Sequence, residues 1–294
     1  MKPLAIATLL AITSCASAQA QPLSCPPAGY ERAELDALKA NQWAMPNDRA
    51  RNRLALALTP CLASPDPSMR DGIAFEAYAH WLRARQLTPQ TMRALATDLE
   101  ARLVAHDPNG FEPPFAALVL SEVARADRIE AYLDVSARQR LLDGALRYFT
   151  QVRDYRGFDE REGWRHGVAH GADLLLQLGL NPALSADHLQ RIADAIAAQV
   201  TPEGHFYIYG ESERLARPII FMAQRGLISE EQWTAYFAQF ANVGESPYAS
   251  QAGLARIHNA KAFLQTIYLN AQLSANTEDN AMLPGVEAAL RALP

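Results

Sequence analysis

An all-α fold is predicted for this chain by three observations. Apolar residues recur at three- and four-residue spacing through most of its length, the pattern of one buried helix face. Runs of β-branched residues are scarce, although 49% of the sequence is hydrophobic. Helix starts near Pro67, Phe111, Glu160, Ser212 and Ala249 recur at about 40–50 residues, a period that reads as antiparallel helix pairs. Such pairs stack as an α-solenoid or close into an α/α-toroid-like right-handed array, and in either case one row of helices lines a concave face.

The first twenty residues stand apart. Lys2, the apolar run Pro3 to Thr13 and the small-x-small triplet Ala18-Gln19-Ala20 predict a signal peptide over residues 1–20. Residues 21–294 then form a single helical domain. A competing reading takes Ile12-Thr13-Ser14-Cys15 as a lipoprotein box, with Cys15 the lipidated first residue and a lipid anchor on the outer membrane. Both readings export the protein, to the periplasm or outside the cell. Cys25 and Cys61 are the cysteines left, and in an oxidising compartment a lone pair is expected to form a disulfide. No second apolar span follows, so no transmembrane segment is expected. The formal net charge is −5 and no Lys/Arg cluster stands out, which argues against nucleic acid as a partner.

The helices follow in order. Glu31 to Trp43 is amphipathic. Asp48 to Cys61 comes after the break Met45-Pro46-Asn47. Pro67 to Arg85 carries Ile73, Tyr78, Trp81 and Leu82. Thr88 caps the next helix with Pro89 at its first position, and it runs to His106. Asp107-Pro108-Asn109-Gly110 is a turn. Phe111 to Arg128 and Ser136 to Arg153 form the next pair. Ser185 to Val200 follows the central helix described below. His205 to Tyr209 alternates at period two, as an extended loop or strand. Ser212 to Gln224, Ser229 to Phe240 with a Ser-Glu-Glu-Gln capping box, the long Ala249 to Leu273, and Val286 to Leu293 complete the chain.

The chain is organised around Asp154 to Asp173, where unusual residues crowd together. Asp159 is expected to cap a helix starting near Glu160, with Glu160 and Glu162 in its first turn. Three- and four-residue spacing then places His166, His170, Asp173 and Gln177 in one polar stripe. Trp164 is expected beneath it, in the core. Gly167 and Gly171, four apart, would admit a closely packed neighbour. Two imidazoles and a carboxylate at this spacing suit zinc, so His166, His170 and Asp173 are candidate metal ligands. The alternatives are a buried polar cluster lining a pocket and a solvated face. The His-Glu-x-x-His pattern is missing.

Arg156-Gly157-Phe158-Asp159, Gly163-Trp164, His166 and His170-Gly171-Ala172-Asp173 together resemble the signature of the bacterial domain-of-unknown-function family numbered 2785. Glu213-Arg214-Leu215 and Asn259 to Leu264 are weaker positions of the same likeness. The resemblance implies an all-helical domain and brings no activity with it. More loosely, Gly167-Val168-Ala169-His170-Gly171 is similar to the His-Gly turns of lanthionine-synthetase-C-like helical toroids. Those enzymes hold zinc through cysteines and a His. The C-terminal part of this chain has no cysteine, so that chemistry does not carry over.

Candidate binding residues are Arg156, Asp159, Trp164, His166, His170, Asp173, Glu211 and Arg214, with His258 and Asn259 on the long helix nearby. Two function classes follow. One is a helical protein that takes a small molecule, peptide or glycan in a concave groove. The other is a zinc-dependent hydrolase using the same residues. Gly-x-Ser-x-Gly, phosphate-loop and dinucleotide motifs are absent, which favours the first.

Overall fold

The computed structural model describes residues 24–244 and 246–294. The signal segment 1–20 and Cys15 lie outside the described residues. The fold is all-helical apart from one two-stranded hairpin. Local sequence signals set most helix ends. Asn47 caps α2 (Asp48–Ala57) by accepting the Ala50 N–H at 2.9 Å, after α1 (Arg32–Ala40). Thr88 caps α5 (Pro89–Arg102), with Pro at the first helical position. Ser229 and Gln232 close the expected capping box on α11 (Glu230–Ala238). Between α3 (Pro67–Met69) and α4 (Glu76–Arg83) the backbone widens into a π-helical turn, Arg70–Phe75. Such bulges often mark functional sites.

The remaining helices are α6 (Glu112–Ile129), α7 (Val135–Gln151), α8 (Gly167–Gly179), α9 (Ala186–Val200), α10 (Glu211–Ala223), α12 (Gln251–Leu273) and α13 (Leu283–Ala292). Even-numbered helices pack side by side: α4 on α6, α6 on α8, α8 on α10 and α10 on α12. The odd-numbered helices α5, α7 and α9 form a second row behind them. One continuous apolar cluster runs through both rows from Leu35 to Ala289, with Trp81, Phe115, Phe149, Trp233 and Phe263 fully buried. Cys25 and Cys61 are disulfide-bonded, tying the N-terminal segment to the turn after α2. Among the described residues no helix is long and apolar enough to cross a membrane.

The central stretch departs from expectation. Residues 160–166 are not helical. Phe158–Asp159 pairs antiparallel with Gly163–Trp164, and α8 starts only at Gly167. Asp159 caps no helix. Its carboxylate accepts the Arg161 and Glu162 N–H groups at 2.8 and 2.9 Å, which forms the hairpin turn instead. Gly163 closes that turn at φ +73°, a backbone that favours glycine. Trp164 is not core: it is 37% exposed, and its ring lies 5.0 Å from that of Phe158 across the strands. Arg70 pins the turn from below. It is fully buried, donates to the Glu162 carbonyl at 2.7 Å, and stacks on the Phe111 ring. Close packing by a motif glycine holds at Gly171, where a Cβ would come within 2.5 Å of the Phe149 ring; at Gly167 it would make only ordinary contact.

Candidate functional site

α8 packs between α6 and α10. His166 precedes its first turn with φ 55°, in the left-handed region. A non-glycine residue held there costs about 1–2 kcal/mol, and such outliers cluster at functional sites. The His166 N–H donates to the Arg156 carbonyl at 3.2 Å, so the hairpin holds the strained residue. His170 lies one turn on, its ring edge-on to Phe115 of α6 at 5.0 Å. The two imidazole centroids are 5.9 Å apart.

Both rings face a groove of about 680 Å³, within the size range of small-molecule sites. Asp71, Phe75 and Arg83 form one wall, Ser121 and Glu122 of α6 the floor beside α8, and Arg214 and Arg217 of α10 the other wall. Trp164 and Tyr209 stand at the mouth. Trp164 stacks on His166 with centroids 4.6 Å apart, and Tyr209 meets Trp164 edge-on at 5.8 Å. Tyr209 lies directly on Gly157; any Cβ there would come within 2.0 Å of its ring.

The expected stripe of His166, His170, Asp173 and Gln177 is present, and all four line the groove. Their chemistry differs. Asp173 is gripped by Arg214, whose Nε donates at 3.0 Å and whose Nη2 makes a second contact. Gln177 accepts two N–H groups from Arg128. His166 Nε2 and His170 Nδ1, by contrast, are buried and have no hydrogen-bond partner among the described residues. Burial lowers the His166 pKa to about 4, with the Arg214 charge adding to the effect. Burial likewise pushes His170 well below the ordinary histidine range, helped by His166 and Arg214. Both rings are therefore neutral at pH 7.

Among the described residues, no three His, Cys, Asp or Glu side chains converge as a metal ligand set. Of the expected ligand trio His166, His170 and Asp173, the Asp173 carboxylate is paired with Arg214. Glu211 is 2% exposed, with Oε1 3.6 Å from His166 Nε2, and its Oε2 accepts the Tyr209 N–H. It fixes the aromatic mouth from behind. Arg156 and Asp159 lie elsewhere, in a neighbouring hollow lined also by Tyr155 and His205, where Arg156 pairs with Asp154. Asn259 is fully buried and holds the loop before α10 through Tyr207 N–H and the His205 carbonyl. His258 contacts the Tyr207 carbonyl at 3.2 Å. Both serve the loop rather than the groove. His170 lies inside α8, not in a turn, so the likeness to the toroid His-Gly turns does not extend to backbone geometry.

Asp71, Phe75, Arg83, Ser121, Glu122 and Arg217 went unmarked in the sequence. Arg217 had a local signal, three residues after Arg214 on one helix face. The others reach the groove through packing between α4 and α6, which no local pattern reports.

The fold and groove define an all-helical protein with a polar-floored, aromatic-rimmed cleft. Its family is that of the model described as "Protein of unknown function (DUF2785)", which matches residues 101–269; the chain belongs to this family. The match takes in α6, the hairpin, α8 and α10, and so most of the groove. No curated protein and no solved structure matches the chain.

Proposed function

We propose that this is an exported helical-repeat protein, its two helix rows stacked as a solenoid, that binds a ligand in the groove at the N-terminal end of α8. One observation carries the reading: two neutral imidazoles, each more than nine-tenths buried and each with an unpartnered nitrogen, line the same cleft. A buried polar atom left unpaired costs about 1–3 kcal/mol. A ligand that supplies the missing bonds recovers that energy on binding. The disulfide and the signal-like residues 1–20 support export.

The test is a fragment screen by ligand-observed NMR on the mature protein, repeated with a His166→Ala/His170→Ala double variant. Fragments that bind the native protein and are lost in a folded double variant are expected. A hit list identical in both proteins would place binding elsewhere and remove the groove from consideration.

A further inference from the structure

The ligand class can be narrowed, on the reading that the groove is a binding site. His166 Nε2 and His170 Nδ1 have no hydrogen-bond partner among the described residues. A neutral imidazole has one donor and one acceptor nitrogen, so a group that both donates and accepts completes either nitrogen, whichever carries the proton.

Charge points the same way. Arg214 is neutralised by Asp173, Arg83 by Glu122, and Asp71 by Arg70. Of the groove-lining ions, only Arg217, exposed at the rim, lacks an ion-pair partner among the described residues. The cleft therefore has little net charge to offer an ion. Beside the two imidazoles it offers an aromatic shelf. Trp164 is 37% and Tyr209 39% exposed, with Phe158 at 47% continuing the surface outward. Large rings kept this accessible next to a polar cleft suit a molecule with one apolar face and a polar edge.

We infer that the groove binds an uncharged sugar residue, with its C–H face on Trp164 and Tyr209 and its hydroxyls hydrogen-bonded to His166 and His170. A hydroxyl both donates and accepts, so it fits an imidazole lone pair without a change of protonation. Peptide amides also donate. Among the described residues, however, the only sheet is the short hairpin, with no extended edge strand to align a peptide backbone.

The experiment records the histidine ring signals of the isotopically labelled mature protein by NMR. Four probes are added in turn: chitotetraose with maltotetraose, tetra-alanine peptide, acetate with inorganic phosphate, and zinc chloride. Shifts of the His166 and His170 signals with an oligosaccharide alone are expected. Trp164→Ala should weaken that binding about tenfold or more, since a stacked aromatic and its buried area are worth at least ~1.4 kcal/mol. Trp164→Phe should retain most of it. Trp164 is a surface residue, so both variants should fold. Shifts with the peptide, the anions or zinc but not with a sugar would overturn the sugar assignment while leaving the groove as a site. No shift with any probe would overturn the assignment together with the groove reading on which it rests.

Discussion

The α6–α8 helix pair is closed at one end and open at the other. At the closed end Asp127 sits 3% exposed near the C-terminus of α6. Its carboxylate accepts from Arg138 Nε at 2.7 Å and from Arg138 Nη2 at 3.1 Å. The Tyr132 and Leu133 N–H groups and Asn181 Nδ2 complete its shell. Every lone pair is used, and the cluster ties α6, α7 and the loop after α8 into one unit. At the open end His166 and His170 are buried to a similar depth, yet each keeps a free nitrogen. Similar burial with opposite satisfaction separates a structural polar cluster from a site. A network that is complete rigidifies; one that lacks a partner leaves a polar group that a water, an ion or a ligand can complete.

The largest expected effect lies at the closed end. Asp127→Ala strands the buried Arg138 guanidinium and should lower unfolding free energy by about 3–5 kcal/mol. Urea denaturation reads this directly, and a loss under ~1 kcal/mol would erase the contrast. The open end should answer to pH instead. His166 and His170 have folded-state pKa values depressed below the unfolded value near 6.5, to about 4 for His166. The unfolded chain therefore binds more protons in the window from about 6.5 down to 4. Their stabilisation is fully present above pH 6.5 and is lost as pH falls through that window. For His166 alone the loss approaches ~3 kcal/mol at the bottom. Denaturation midpoints at pH 7 and pH 4.5 measure it, and His166→Gln should flatten the slope. Asp127, held below its usual carboxylate range by Arg138 against the opposing effect of burial, gives way only below about pH 3.8. The two ends thus separate along the pH axis.

How far these ends were legible follows from what is local. The helices were readable because their caps and apolar period lie within a few residues: Thr88-Pro89 and Ser229 to Gln232 act where they stand. The groove stripe was readable for the same reason, since His170, Asp173 and Gln177 recur at helical spacing. The hairpin was misread because Glu160 and Glu162 imitate an acidic first helical turn. The correcting signal was present: Asp159 and Gly163 bracket a three-residue turn, with Phe158 and Trp164 placed symmetrically outside it. The pairing of Asp173 was hidden for a nonlocal reason. Arg214, which takes Asp173, arrives from a helix 41 residues along the chain. The same limit hid Asp127 and Arg138, whose network spans 54 residues to Asn181.

Backbone strain gives a smaller effect at the open end. His166 sits at φ 55° without a cap bond from its own side chain. Removing the ring while keeping a Cβ retains the strain; removing both relieves it. His166→Gly should therefore be more stable than His166→Ala by about 1 kcal/mol, read as a difference in chemical denaturation. Equal stabilities would mean that the left-handed backbone is not a burden held by the hairpin.

The smallest expected effect is the sharpest contrast with Asp127. His170 contributes a buried nitrogen that nothing pairs with among the described residues. Replacing that neutral ring with an apolar side chain of similar bulk leaves no charge stranded and removes an unpaired polar atom. His170→Leu should change unfolding free energy by less than ~1 kcal/mol, or raise it, because loss of an unsatisfied group is near neutral. It should also remove that residue's share of the acid-induced loss. Calorimetric melting at pH 7 and pH 5 reads both quantities on one sample. A loss of about 3 kcal/mol at pH 7 would make His170 a structural partner of the kind found at the closed end. Unchanged or raised stability with lost binding would instead show that the polar group is retained for a ligand at the expense of stability, the trade-off expected of a functional site.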